Sequence, residues 1–253
     1  MTNIILNGCN GKMGQVISRL VSEDSECKIV AGIDITGEQK NDYPVYTAPC
    51  EVKEKGDVII DFSHPDSFDG ITDFCRKNKL PIIICTTGLS NVQKNKMEAL
   101  SSEIPVFFSA NMSLGINLLI NLAKKATSLL REVFDIEIEE RHHNQKIDAP
   151  SGTALAIADA IAEEMDNAEY VYDRHAVRKK RKNNDIGIHA IRGGTIVGDH
   201  TVIFAGNDEV IELKHSAASK EVFAVGAIKA AKYMNGKPSG MYSMNDLIND
   251  SDM

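Results

Sequence analysis

Apolar residues fall in short runs along this chain, and over the first two thirds two periodicities alternate. Residues 3–7 (N-I-I-L-N) form a strand-like run that stops at Gly8. Met13, Val16, Ile17, Leu20 and Val21 then recur at i, i+3, i+4, i+7 and i+8, which is one face of a helix. Cys27–Asp34 reads as the next strand, and Val58–Phe62, Pro81–Thr86 and Pro105–Ser109 as further buried strands. Helical stretches around Ser67–Lys77 and Val92–Leu100 separate them. Strands alternating with helices predict parallel pairing through right-handed crossovers, hence a doubly wound α/β sheet.

The pattern changes beyond Leu114. A helix over about 114–130 leads into a segment where Phe134, Ile136 and Ile138 alternate with Asp135, Glu137 and Glu139, as in a sheet with one wet face. A second helix is expected from Thr153 to Met165. Three strand-like runs follow, Gly187–Arg192, Thr195–Ala205 and Glu209–His215, separated only by Gly193-Gly194 and Gly206-Asn207-Asp208. Turns this short predict an antiparallel arrangement. An amphipathic helix over Val222–Met234 comes last, then a polar tail. The basic stretch Arg174–Asn184 reads as a loop.

Composition narrows the classes. With 253 residues, 43% hydrophobic and 25% charged, the chain is globular rather than disordered. At about 150 residues per domain it allows one large domain or two smaller ones. The excess of 36 acids over 28 bases, net −8, argues against a polyanion-binding surface. No aromatics interleave the Arg174–Lys182 run, so a nucleic-acid partner is not expected. Cys9, Cys27, Cys50, Cys75 and Cys85 are odd in number and lack C-x-x-C or zinc spacing, so neither disulfides nor a metal is expected. The longest apolar run, Leu80–Cys85, is far below the roughly 20 residues a bilayer needs, so no membrane partner is expected. A first strand starting at Asn3 leaves no room for a signal peptide, and the cytoplasm is the expected location.

Chemistry enters with the glycines. Gly8, Gly11 and Gly14 make G-x-x-G-x-x-G between a strand and a helix, with Lys12 and Met13 inside the loop. Such a turn lets a pyrophosphate approach the backbone and meet the free amides of a helix start. Asp34 ends the second strand twenty residues beyond Gly14, where an acid hydrogen-bonds a ribose. A bare turn would need the glycines but neither the second strand nor the acid. A carboxylate at 34 repels a 2′-phosphate and favours NADH, while Lys12 leaves NADPH open. Thr86-Thr87-Gly88 follows another buried strand at the same edge, as a ligand loop or an ordinary connection.

The run Glu140–Ala154 (E-R-H-H-N-Q-K-I-D-A-P-S-G-T-A) is denser still. His142 and His143 end an alternating strand, Lys146 follows, and Ser151-Gly152-Thr153 opens a helix with Ser151 as N-cap. Two imidazoles, a lysine and a helix N-terminus suit a carboxylate, and a histidine can deliver a proton near neutral pH. A metal site lacks a third ligand, and Ser151 lacks the G-x-S-x-G elbow of a hydrolase. A structural cap beside two surface histidines is the plain alternative.

This run is similar to the signature of the 4-hydroxy-tetrahydrodipicolinate reductase (dihydrodipicolinate reductase) family. The likeness extends over nearly the whole chain: N-G-C-N-G-K-M-G at Asn7–Gly14, D-F-S at Asp61–Ser63, T-T-G at Thr86–Gly88 and S-A-N-M-S-L-G-I-N at Ser109–Asn117. R-G-G at Arg192–Gly194, G-D-H at Gly198–His200, E-L-K-H at Glu212–His215 and F-A-V-G-A at Phe223–Ala227 continue it. The resemblance implies NAD(P)H-dependent reduction of a small cyclic dicarboxylate with loss of water, in the diaminopimelate route to lysine. It implies His142 as proton donor and Lys146 as a second catalytic or substrate-binding cation. His143, Ser151, Gly152 and Thr153 would hold a substrate carboxylate. Phe62, Thr86, Thr87, Gly88, Ala110, Asn111 and Met112 would line the dinucleotide. The implied fold is a Rossmann-type dinucleotide-binding domain of residues 1–113 and 220–253. An inserted mixed α+β substrate-binding and tetramerisation domain spans 114–219, closes about hinges near Ser113 and Ser219, and makes a homotetramer. Lys220 and Cys85 stand where the family pattern usually has arginine and glycine.

Two other readings share these features. A semialdehyde dehydrogenase would need a nucleophilic cysteine at a helix start, for which Cys85 is the candidate. A dinucleotide sensor on the same fold would not need His142, Lys146 and Ser151 together.

Overall fold

The computed structural model describes residues 1–251. It opens with strand β1 (Thr2–Asn7), helix α1 (Lys12–Ser22), β2 (Cys27–Ile33), the short β3 (Val45–Tyr46) and β4 (Val58–Asp61). Helix α2 (Phe68–Asn78), β5 (Ile82–Ile84), α3 (Asn91–Ser101) and β6 (Pro105–Phe108) complete this stretch. Ile4, Ile5, Leu6, Ile59, Ile60, Ile82 and Ile83 are fully buried. Strands apolar on both faces are those of a parallel sheet covered on both sides. Residues 113–220 then form a separate compact unit, after which the chain returns to the first.

That second unit contains α4 (Leu114–Leu130), β7 (Asp135–His142), α5 (Gly152–Ala162), β8 (Glu169–Val171), the four-residue α6 (Arg174–Val177), β9 (Asp185–Arg192), β10 (Gly198–Ala205) and β11 (Val210–Ala217). Its sheet runs β11-β10-β7-β9-β8. Ile136 and Ile138 of β7, Ile186 and Ile188 of β9, and Val202 and Phe204 of β10 pack on one face with Ile116, Leu119 and Ala123 of α4 and Ala154, Ile157 and Ile161 of α5. The second face of β7, bearing Glu137, Glu139 and Arg141, is only half-buried.

Three expectations are corrected here. The last three strands are not one antiparallel run: β10 pairs antiparallel with β11 and with β7, but β9 lies parallel to β7 on its other side. The Gly193-Gly194 link therefore does not close a hairpin. It passes over the end of β7, where the Gly193 amide donates to the His142 carbonyl at 2.9 Å and the Asn144 amide to the Gly194 carbonyl at 3.2 Å. Short turns specify a hairpin only when no third strand has a better claim to the central position; β7, bonded on both edges, has it. Second, the Arg174–Asn184 stretch is not merely a solvated loop. It contains α6, and its Arg174 and Arg181 pair with Glu137 of β7, Arg174 also with Asp185 and Arg181 also with Asp135.

Third, the polar tail is structured. After α7 (Glu221–Met234) come β12 (Gly240–Tyr242) and α8 (Met244–Ser251). β12 adds a seventh parallel strand, giving the order β12-β6-β5-β4-β1-β2-β3. Three residues are too few to show a periodicity, which is why the sequence reads there as a tail. From β1 the strand order proceeds one way through β2 and β3, and the other way from β4 outward. The switch between β1 and β4 opens a crevice at their carboxyl ends, the ligand position of such sheets.

Candidate active site

At that switch point β1 ends in Asn7-Gly8 and β4 in Asp61-Phe62. Gly8 has φ +80°, and a Cβ on it would fall inside the van der Waals shell of the Phe62 carbonyl oxygen. Gly14 is equally closed, against the carbonyls of Gly8 and Cys9. Gly11 is the N-cap of α1 and supplies no side-chain hydrogen bond, and no acid stands in the first turn. The amides of Lys12, Met13 and Gly14 thus open the helix with its positive dipole end uncompensated. Asp34, one residue past β2, accepts from the Asn10 amide at 3.1 Å, and from the Thr36 amide and hydroxyl at 3.1 and 3.0 Å. A dinucleotide fits this donor set: glycines leave the space a Cβ would fill, free amides face it, and a carboxylate stands one strand away.

A buried network underlies the same edge. The Asp61 carboxylate accepts from Asn7 Nδ2 at 2.8 Å, Ser63 Oγ at 2.5 Å and Thr86 Oγ1 at 2.9 Å. Burial pushes its pKa up, against the pull of these three hydrogen bonds. Thr86 is therefore buried as a link between strand ends, whereas Thr87 and Gly88 (φ +79°) beyond it are exposed. Phe62 and Asn111 are half-buried, Ala110 is exposed and Met112 is buried, its carbonyl against Gly226 of α7.

In the second unit, the inner face of β7 changes character toward its C-terminus. Ile136 and Ile138 are followed at the same two-residue period by Glu140 and His142, also buried. Glu140 has no exposed surface, and both its oxygens are used. Oε2 meets His142 Nδ1 at 2.6 Å and Arg192 Nη1 at 2.8 Å; Oε1 accepts from Arg192 Nη2 at 2.8 Å and from the Ser151 amide at 3.0 Å. Arg192 reaches it because β9 places Arg192 opposite His142 in the parallel register. Burial raises the Glu140 pKa, but Arg192, His142 and the Ser151 amide outweigh it and hold the carboxyl below its ordinary range.

Ser151 caps α5 as expected, its Oγ accepting from the Ala154 amide at 3.2 Å. The same Oγ lies 3.2 Å from Nε2 of His200, which stands opposite Glu140 on β10. The rings of His142 and His200 meet edge to face at 5.2 Å. Burial, reinforced by the neighbouring His142, lowers the His200 pKa to about 4, so its ring is neutral near pH 7. Gly198 presents only a hydrogen to His142, since a Cβ there would stand 3.1 Å from Nε2. Gly152 is exposed with open space about its Cα, while Thr153 and His143 are half-buried. Lys146 Nζ pairs with Asp148 Oδ1 at 2.8 Å, which holds the Asp148 pKa below its usual value.

Thus His142, Lys146 and Ser151–Thr153 are gathered at one end of the second unit, and the glycine loop, Asp34, Phe62 and Thr86–Gly88 at one edge of the first. The sequence reading assigned no role to Glu140, Arg192, Gly198, His200 or Asp61. Glu140 could have been found, since it lies two residues before His142 in an alternating strand and so on the same face. Arg192, Gly198 and His200 lie 52 to 60 residues away and join only through strand register. Among the described residues no group of three or more His, Cys, Asp or Glu side chains is placed to hold a metal, and no helix is long and apolar enough to cross a membrane.

Comparison with known proteins bears on this geometry. Family profiles for the N-terminus and the C-terminus of dihydrodipicolinate reductase match residues 2–112 and 115–248. The 4-hydroxy-tetrahydrodipicolinate reductase of Caldanaerobacter subterraneus subsp. tengcongensis is 53% identical over 253 residues, covering 98% of both chains. That of Clostridium novyi is 50% identical over 249 residues, again 98% of each. Among solved structures, a dipicolinate-bound dihydrodipicolinate reductase from Paenisporosarcina sp. is similar, with TM-score 0.81 over 96% of this chain and 97% of that one at 24% identity. A probable dehydrogenase from Thermotoga maritima gives 0.60 at 13% identity, over 97% and 92%. These two structural likenesses speak to the fold.

Proposed function

The chain belongs to the dihydrodipicolinate reductase family, and from that membership we infer that it reduces 4-hydroxy-tetrahydrodipicolinate with a reduced nicotinamide dinucleotide, with loss of water, in the diaminopimelate route to lysine. The observation that carries the residue roles is that the buried carboxylate of Glu140 ties the His142 imidazole and the start of α5 into one piece.

When bound, the dinucleotide supplies the hydride. His142, its Nδ1 occupied by Glu140, donates a proton from Nε2 as negative charge grows on the reduced ring. Lys146 stabilises that charge electrostatically. The Ser151 hydroxyl and the amides of Gly152 and Thr153, with His143, hold a substrate carboxylate at the helix N-terminus. Gly8, Gly11, Lys12, Met13 and Gly14 take the pyrophosphate, and Asp34 takes the adenosine ribose, which favours NADH over NADPH. Phe62, Thr86, Thr87, Gly88, Ala110, Asn111 and Met112 line the remainder of the nucleotide. Exposed Ile191 and Val210, on the sheet face away from α4 and α5, support a homotetramer built on that face. The enzyme belongs in the cytoplasm, where its nucleotide is reduced and its route runs.

The test is a coupled assay that forms the substrate freshly from pyruvate and aspartate semialdehyde with the partner synthase, following NADH and NADPH separately. Consumption that requires all components supports the reading; nucleotide binding without turnover would point to a sensor. Replacement His142→Gln should lower kcat by roughly 100-fold or more with nucleotide binding intact. Undiminished turnover would remove His142 as proton donor.

A further inference from the structure

Glu140 carries out no chemical step in the proposed reaction, yet both its carboxylate oxygens are doubly engaged. It is wholly buried, ionised, and carries four hydrogen-bonding partners from three segments: His142 on its own strand, both terminal nitrogens of Arg192 on β9, and the Ser151 amide at the start of α5. A carboxylate has about four lone-pair sites, so the group is saturated. Replacing it with an apolar residue would leave the half-buried Arg192 without its carboxylate, which is costly, but charge balance alone does not explain why two of the four partners belong to the proposed reaction.

We propose that Glu140 is a positioning residue that couples the proton donor to the carboxylate clamp, by fixing the His142 ring with its proton on Nδ1 and anchoring the first residue of the Ser151–Thr153 turn. The proposal rests on the reading of His142 as acid and of the α5 start as the carboxylate site. An ionised oxygen 2.6 Å from Nδ1 can only accept, so Nδ1 carries a hydrogen in every protonation state of the ring. The neutral tautomer left after proton donation then has its lone pair on Nε2, the nitrogen that faces Gly198, ready to take up the next proton. The other oxygen holds the Ser151 amide, so that amide is spent on Glu140, and the anion must be met by the amides that follow it and by the Ser151 hydroxyl. Arg192 prevents rotation of the carboxylate by bidentate pairing. The remaining polar neighbour is the neutral ring of His200 on β10, with His215 opposite it on β11; Lys146 is engaged by Asp148.

Glutamine at 140 keeps the shape but has one acceptor oxygen, so it cannot serve His142 and Ser151 together. In Glu140→Gln, kcat should fall by roughly 100-fold. The KM of the dicarboxylate and the Kd of pyridine-2,6-dicarboxylate by calorimetry should rise, the Kd of NADH should stay unchanged, and the basic limb of the kcat profile should move to lower pH. A variant that melts earlier but keeps the wild-type kcat and pH profile would make Glu140 merely structural and overturn the proposal. The unmutated protein gives an independent reading through two-bond proton–nitrogen spectra with 15N-labelled histidine, the His142 signals being assigned by their loss in His142→Gln. With the ring neutral, a proton on Nδ1 supports the proposal and a proton on Nε2 overturns it. That spectrum does not depend on turnover, so it stands apart from failure of His142 as the acid, which His142→Gln kinetics reports.

Discussion

Gly198 lies against the ring of His142, where a Cβ would stand 3.1 Å from Nε2 and 3.4 Å from Cδ2. The contact is tighter than carbon and nitrogen comfortably make, and the ring, held on its other side by Glu140, has little room to yield. Gly198→Ala should therefore fold but displace the His142 ring, the proposed proton donor, by a few tenths of an ångström. The expected result is a kcat lowered by about 10-fold with the KM for nucleotide unchanged. Steady-state kinetics beside a thermal melt checks it, and a kcat equal to wild type would show that Nε2 is not used on that side.

Gly8 joins two strains at one position. Its φ of +80° is poorly tolerated by a residue with a Cβ, and that Cβ would meet the Phe62 carbonyl of a neighbouring strand end, a backbone atom that cannot swing away. Gly8→Ala should cost about 2–4 kcal/mol of stability and abolish measurable nucleotide binding. Urea unfolding and quenching of NADH fluorescence test the two parts separately.

His200 makes stability depend on pH. Its folded pKa of about 4 lies below the ordinary 6.5, because burial disfavours the imidazolium. Between those values the unfolded chain binds a proton that the folded chain refuses. Stability is therefore fully present above about pH 6.5, falls as the pH drops toward 4, and loses no more from this residue below that. The window is worth up to about 3 kcal/mol. His200→Gln should flatten the acid limb of a stability–pH curve obtained by urea titration, and a limb parallel to wild type would assign the loss to other groups.

Asp34 should set nucleotide choice. With its carboxylate fixed by Asn10 and Thr36, it cannot turn away from a 2′-phosphate. Asp34→Asn retains one of the two acceptor oxygens and removes the charge, so the ratio of kcat/KM for NADPH over NADH should rise by about 10-fold. An unchanged ratio would place the discrimination elsewhere in the pocket.

The glycine loop and the histidine run were readable because each is local. In β1–α1–β2 the apolar spacing, the glycines and the acid all sit within 34 residues, and the structure reproduces each element to within a residue or two. Ser151 was identifiable as a cap for the same reason: an N-cap is a relation between positions three apart. Glu140 shows where such reading stops. Its same-face relation to His142 is in the sequence, but its burial and its partner Arg192, 52 residues on, are not. The basic stretch around Arg181 misled in the same way: read alone it is solvated charge, whereas the acids that neutralise it lie on β7.

By itself the sequence determined the alternation of strands and helices, the open helix start at Gly11, the capped start of α5, and the supply of His142 and Lys146 beside it. These follow from the preferences of neighbouring residues, which the chain carries wherever it goes. Only the tertiary structure decided that β9 lies parallel to β7 while Gly193-Gly194 crosses its end, that β12 closes the first sheet, and that Glu140, Arg192, Gly198 and His200 surround one imidazole. Strand register brings those residues together, and register is set by burying whole faces at once rather than by any local signal. A short glycine turn is compatible with two topologies; the burial of Ile136 and Ile138 at the centre of the sheet selects one, and in doing so assembles the site.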